Sequence, residues 1–150
     1  MSPRRSDAPF APLLRAYMDR EGLDVAFLRE DGSLRLKVDH RLGIVLRPVS
    51  CGRLALLATI ADLADWPSAQ TEARLLTLLG LAAGLVRQHA SGLVIDERRQ
   101  WLQLQQVLPQ DADAGELDQA LEDFLNVLEF WARACDEVSQ RPAGWPGGWR

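Results

Sequence analysis

Two histidines, two cysteines and a few acidic clusters are the groups in this chain with the means to shuttle protons, attack bonds or hold metal ions. Imidazole is the side chain suited to proton transfer near neutral pH. His40 and His89 are the histidines, and neither stands beside a serine or cysteine in a recognisable nucleophile motif. His40 falls in a predicted hairpin turn. His89 falls near a predicted helix end, where a cation suits the dipole, so structural roles account for both. Cys51 and Cys135 lie far apart in the chain, without the CxxC spacing or second pair that a zinc site needs, and read as small buried hydrophobes. The clusters Asp96 with Glu97, and Asp111 with Asp113 and Glu116, lack the glycine-centred ligand spacing of a calcium loop. There is no P-loop, dinucleotide fingerprint or nucleophile elbow. The residues therefore point to no catalytic group, no metal and no cofactor, and the expectation is a protein that is not an enzyme.

What remains is binding, and composition narrows the partner. The chain has 150 residues, 47% of them hydrophobic and 25% charged, the proportions of one soluble globular domain and not of a disordered tail. At this length folding buries roughly 70% of the surface that the unfolded chain exposes. A net charge of −4 argues against nucleic acid, because neutralising phosphates takes a basic stripe. The uncharged run from Leu75 to Val86 is too short to span a bilayer. Arg4 and Arg5 are followed by Pro9, Pro12 and Arg15, which interrupt any signal-peptide core. A cytosolic protein is expected, with no nucleic-acid partner and no membrane insertion.

The elements that would present a binding surface follow from periodicity. Phe10, Leu13, Leu14, Tyr17 and Met18 fall on one helical stripe, with Pro9 and Pro12 suited to a first turn and Gly22 to a stop, predicting a helix over about 9 to 21. Leu23 to Glu30 is ambiguous, and Asp31 with Gly32 marks a turn. The period then changes to two. Leu34, Leu36 and Val38 alternate with Arg35, Lys37 and Asp39; Ile44 to Leu46 follow before Pro48; and Leu54, Leu56, Ala58 and Ile60 share a face of a third run. Two hairpins in an antiparallel meander connect them most simply.

Trp66, Pro67 and Ser68 break that pattern and open a helix predicted over 68 to 89. Leucines and alanines from Leu75 to Leu85 cover most of its circumference, and a helix apolar nearly all round needs cover on two sides. A second copy of the chain is the expected cover. Gly80 and Gly84 make a GxxxG, for which packing within the chain and contact between copies compete. Leu93 to Ile95 reads as a short apolar strand, and Trp101, Leu102 and Leu104 start another. Val38 to Arg41 and Ile95 to Arg98 share a β-branched residue, an aspartate and an arginine at predicted hairpin tips, which turn chemistry alone explains. Asp113 and Glu116 resemble a capping box opening a helix to about Val138, with Leu117, Leu121, Phe124, Leu125, Leu128, Trp131, Ala132 and Cys135 as its apolar stripe. Residues 109 to 140 carry nine acidic groups against Arg133 alone, readable as a solvated helix face or as a surface that steers a basic partner. The organisation expected is a flexible N-terminus over 1–8, one domain over 9–140, and a flexible tail over 141–150 holding Trp145 and Trp149.

This order of helix, three strands, helix, two strands and helix resembles the class I chaperones of bacterial type III secretion, the Tir chaperone family. Local patterns add to the likeness: Leu13, Leu14, Gly22, Leu23, Asp31 and Gly32; Leu54 to Ile60; Leu75, Leu76, Leu78 and Leu79; Gly92 to Asp96; Trp101 to Leu104; Leu108 and Pro109; Phe124, Leu125 and Glu129 to Trp131. Where the family usually shows an asparagine after the leucine-rich helix, this chain reads Gly80 to Gly84. The resemblance implies an α+β homodimer with an antiparallel sheet of about five strands and three helices. The dimer interface would draw on Leu75, Leu79, Ala82, Leu93, Val94 and Ile95. The partner it implies is the N-terminal chaperone-binding segment of one or more secreted effectors, held soluble and partly unfolded for export. Leu13, Leu14, Tyr17, Leu34 and Leu36 would offer that segment an apolar groove and strand edge, although the same residues also suit a core. A secretion ATPase or a regulator is a further candidate partner. A regulatory protein that sequesters its partner, and a small ligand-binding protein or enzyme, are the alternative readings.

Overall fold

Alternation of apolar and polar residues in three consecutive runs builds one half of a sheet. The computed structural model describes residues 11–24, 28–37, 42–85 and 87–140. Within them β1 (Leu34–Lys37), β2 (Gly43–Val49) and β3 (Arg53–Asp62) form the expected meander. Leu34 stands opposite Leu46, and Leu46 opposite Leu56, so paired strands put their leucines on one face. The β2–β3 turn is a single helical turn, Ser50–Gly52, in which Cys51 (φ 60°) and Gly52 (φ 69°) are both left-handed. Glycine takes that conformation freely, and the cysteine takes it with strain.

The other half is a hairpin of β4 (Gly92–Asp96) and β5 (Trp101–Leu108). Asp96 organises its tip, its Oδ1 accepting from the backbone N–H groups of Arg98 (3.1 Å) and Arg99 (3.2 Å), the local bonding that suits aspartate to turns. β5 pairs antiparallel with β3, giving the order β1-β2-β3-β5-β4. Between the halves the chain makes a capped turn at Leu63–Asp65 and then α2 (Ser68–Leu85).

α3 (Ala114–Gln140) lies across one face of this sheet. Asp113 caps it, accepting from the Glu116 N–H at 2.8 Å, an arrangement that contributes about 1 kcal/mol. Leu117, Ala120, Phe124, Val127, Leu128, Trp131, Ala134, Cys135 and Val138 are its buried residues, spaced three and four apart as a single stripe. They join Leu34, Ile44, Leu46, Leu54, Leu56, Leu102 and Leu104 in one core. α1 (Ala11–Glu21) adds Leu14 and Met18 to it. Arg20 ties α1 to the start of α3 through two parallel bonds to Asp118, one of 2.6 Å. α2 packs against α3 and β4 and buries fully only Leu78. Arg74 also spans α2 and α3, donating to the Ser139 carbonyl at 3.2 Å.

Element order and sheet composition are as expected; several boundaries differ. β2 continues through Pro48, which is possible because β1 pairs no farther along it than Leu46, leaving an edge where a missing N–H costs nothing. β3 extends to Asp62 through a bulge between Thr59 and Ala61. The bulge restarts the alternation, so that Ala61, not Ile60, stands opposite Leu102. β5 runs on to Leu108, and α3 to Gln140. α2 stops at Leu85 rather than His89: Gly84 weakens its last turn, and the Gln88 N–H turns back to the Leu85 carbonyl at 2.9 Å. The expected flexible segments 1–8 and 141–150, with Trp145 and Trp149, lie outside the described residues, as do Phe10, Val38 to Arg41 with His40, and Val86.

Candidate functional site

The described residues expose their apolar side chains most around α2 and β4. Leu76 is 62% exposed and Leu79 45%, and Ile95 on β4 is 40% exposed. Gly80 and Gly84 are exposed as well, and a Cβ built on either meets nothing within 4 Å. The GxxxG thus packs against no other element among the described residues. Leu76, Gly80, Ala83 and Gly84 recur at helical spacing, and a helix partly apolar toward solvent over that length marks an interaction surface.

Next to this stripe is a groove of about 470 Å³ between α2, the segment before β4, and α3. Leu79, Ala82 and Leu93 line it together with Ala83, Val127 and Trp131. Of the six residues expected at a dimer interface, the structure therefore gathers three around one groove. Leu75 is half-buried against the core. Ile95 stands opposite Leu102 and Val94 opposite Gln103, so Val94 points to the other face of the sheet from Leu93 and Ile95. All three strand residues lie on β4, whose outer edge pairs with no strand among the described residues. Val127, Trp131 and Leu76 were not expected at this surface. The stripe on α3 signalled Trp131 as core, and only the fold shows that its ring also floors the groove.

The second expected surface involves α1 and β1, at the opposite edge of the sheet. Leu14 (2% exposed) and Leu34 (1%) are core residues. Leu13, Tyr17 and Leu36 are half-buried and pack against the same core. The Arg20 guanidinium lies 5.5 Å from the centre of the Tyr17 ring. Partial burial, reinforced by Glu21 and opposed by Arg20, pushes the Tyr17 phenol above its ordinary range. The bonds from Arg20 hold the Asp118 carboxyl below its ordinary range. β1 itself is an edge strand, bridged at Leu34 by Leu28.

Among the groups with chemical potential, Cys135 is buried and Cys51 exposed, with no disulfide between them. His89 follows α2 and lines the groove's rim with Ser91. No three His, Cys, Asp or Glu side chains among the described residues gather closely enough to hold a metal ion. No described helix is long and apolar enough to cross a membrane.

No family model matches the sequence, and no curated protein matches it. Solved structures do. A chain of the HopA1–SchA chaperone–effector complex aligns with a TM-score of 0.65 at 18% identity, over 85% of this chain and 96% of that one. A chain of the ExsC–ExsE complex aligns at 0.64 with 21% identity, over 89% and 94%. A third match, at 0.56 and 14% identity over 81% and 98%, comes from the Yersinia pestis type III secretion chaperone SycH in complex with a fragment of YscM2. The α+β architecture described above is thus one that these complexes share nearly end to end.

Proposed function

We propose that this protein is a dimeric export chaperone of the Tir chaperone type, which binds the N-terminal region of one or more secreted effectors and keeps it soluble, partly unfolded and competent for secretion. The observation that carries the reading is the pairing of this fold, shared with chains of chaperone–effector complexes, with apolar surface left uncovered on α2 and β4. Leucines of α2 presented to water suit a surface that another protein covers. The two surfaces divide the work. α2, the groove and the β4 edge suit a twin subunit. Leu13, Tyr17 and Leu36, half-buried beside the β1 edge, suit the cargo, which would add backbone bonds along the strand and side chains over the apolar patch. Leu14 and Leu34 support that patch from beneath.

The test is co-purification of the tagged protein from a secreting bacterium at native expression. The expected result is a stable complex with a polypeptide that is itself exported, and loss of the complex when the cargo's N-terminal region is deleted. A folded protein that retains no exported polypeptide overturns the reading. A partner held in the complex but never exported selects the regulatory alternative.

A further inference from the structure

The described helices gather on one face of the sheet, and the opposite face has a charge of its own. Arg35 stands opposite Val45, and Val45 opposite Leu57; Arg47 stands opposite Ala55, Lys37 opposite Gly43 and Arg53 opposite Val49. Paired residues in antiparallel strands share a face, so Arg35, Lys37, Arg47 and Arg53 all project from the side that α3 does not cover. Val45, Leu57 and Val107 run through the middle of the same face, Leu57 standing opposite Gln105 and Ala55 opposite Val107; Val107 is exposed, Val45 half-buried and Leu57 buried between its neighbours.

These cations are poorly neutralised. Arg35 and Lys37 are exposed and have no ion pair among the described residues. Arg53 bonds only to its own turn, donating to the Ser50 carbonyl at 3.2 Å and its hydroxyl at 3.4 Å. Arg47 comes no closer than 4.0 Å to Asp31, beyond hydrogen-bond reach, and its buried Nε has no acceptor. Asp31 is the carboxylate beside Arg47; those on the strands of this face, Asp62 and Asp96, flank Trp101 at the far end of β3 and β4. A molecule with net charge −4 thus collects four cations around an apolar strip while Glu116, Glu122, Asp123, Glu129, Asp136 and Glu137 sit on α3. The aromatic on this face, Trp101, stands between Asp62 and Asp96 with the Arg99 guanidinium 4.9 Å from its ring centre, and β1, β2 and β3, which carry the four cations, contain no aromatic residue of the kind on which single-stranded nucleic acid stacks.

We propose that this open face binds an acidic, extended polypeptide segment in which aspartate or glutamate alternates with apolar residues. Its carboxylates meet the exposed Arg35 and Lys37 and the exposed end of the Arg47 guanidinium, and its apolar side chains cover Val107 and the half-buried Val45. This face looks away from the patch of Leu13, Tyr17 and Leu36 and from the α2 groove, sharing with them only the strands β1 and β4, so the peptide test can fail without the chaperone reading failing.

Fluorescence polarisation of the full chain with a labelled peptide of about ten residues, long enough to cross the sheet, provides the test. An alternating Glu/Leu peptide is compared with a Lys/Leu peptide and with single-stranded DNA. The expected result is saturable binding of the Glu/Leu peptide alone, weakened about tenfold or more by the pair Arg35→Gln and Lys37→Gln and further reduced as salt shortens the screening length. Arg47→Gln alone should weaken it too, whereas Glu129→Arg on exposed α3 should not. Equal binding by the paired variant, equal binding of the Lys/Leu peptide, or preference for the DNA each overturns the proposal. Matching thermal melts establish that the exposed substitutions leave the fold intact, and the single Arg47→Gln variant decides the matter should the pair melt early.

Discussion

Burial gives the two thiols opposite chemistry. Cys135 is 4% exposed between α3 and the core, and burial, with Asp136 adding to it, pushes its thiol up to about 11. At neutral pH almost none of it is thiolate, the form that reacts. Cys51 sits exposed at the left-handed corner of the β2–β3 turn. Alkylation of the native protein with iodoacetamide should therefore add one group, on Cys51, and a second only after denaturation. Intact-mass and peptide mass spectrometry check this; comparable rates at both sites in the native protein would show that α3 opens readily from the sheet. The Cys135 side of this contrast was legible in the sequence, since its place on the stripe with Leu128 and Trp131 gave it a packing role. Cys51 was not, because its exposure follows from the local turn geometry and not from any periodicity.

At the level of elements, α2 concentrates the consequences. In one subunit its outward stripe of Leu76, Leu79, Gly80 and Ala83 is exposed, so a charge placed there leaves the subunit's own core alone. Leu79→Asp should accordingly preserve the thermal melt of the subunit while breaking the assembly, and Val94→Asp, on the edge strand β4, should break the assembly as well. A carboxylate buried without a partner costs about 3–5 kcal/mol, enough to weaken association more than about a hundredfold. Light scattering at micromolar concentration should report a dimer for the unmodified chain and a monomer for either variant. A monomeric unmodified protein would refute the dimer. The all-round apolarity of α2 was readable from its leucines, and so were the meander and the cap at Asp113, because each rests on local pattern. Strand ends were not. Pro48 looks like a stop until the short partner β1 reveals an open edge. Gln105 and Gln106 break the alternation that would have carried β5 to Leu108. The bulge at Ile60 depends on β5, a partner remote in sequence, and the grouping of Leu79, Ala82 and Leu93 with Trp131 around one groove depends on helix packing that no single segment encodes.

For the whole molecule, charge and apolar surface are sorted by direction. The acids of α3 point one way, the cations of β1 to β3 the other, and the uncovered leucines of α2 lie along one flank. A molecule sorted in this way keeps its acids, its cations and its uncovered leucines on different sides and different atoms. Net negative charge also limits non-specific association of molecules that expose such apolar surface.

The seam between β3 and β5 has a consequence in time. Thr59 and Gln103, paired across it, are 44 residues apart, with all of α2 between them. During synthesis at roughly 5–20 residues per second, β3 waits for several seconds with one edge bare and its leucines uncovered. The first-made half is not a finished unit, since α3, which buries its core face, is the last of the described elements to arrive. A chain ended before Trp101 should collect in the insoluble fraction, whereas the full chain should refold from denaturant in a single transition; a soluble, cooperatively melting truncation would show that the meander stands alone. The chain thus passes through a vulnerable infancy before its own sheet is closed and covered.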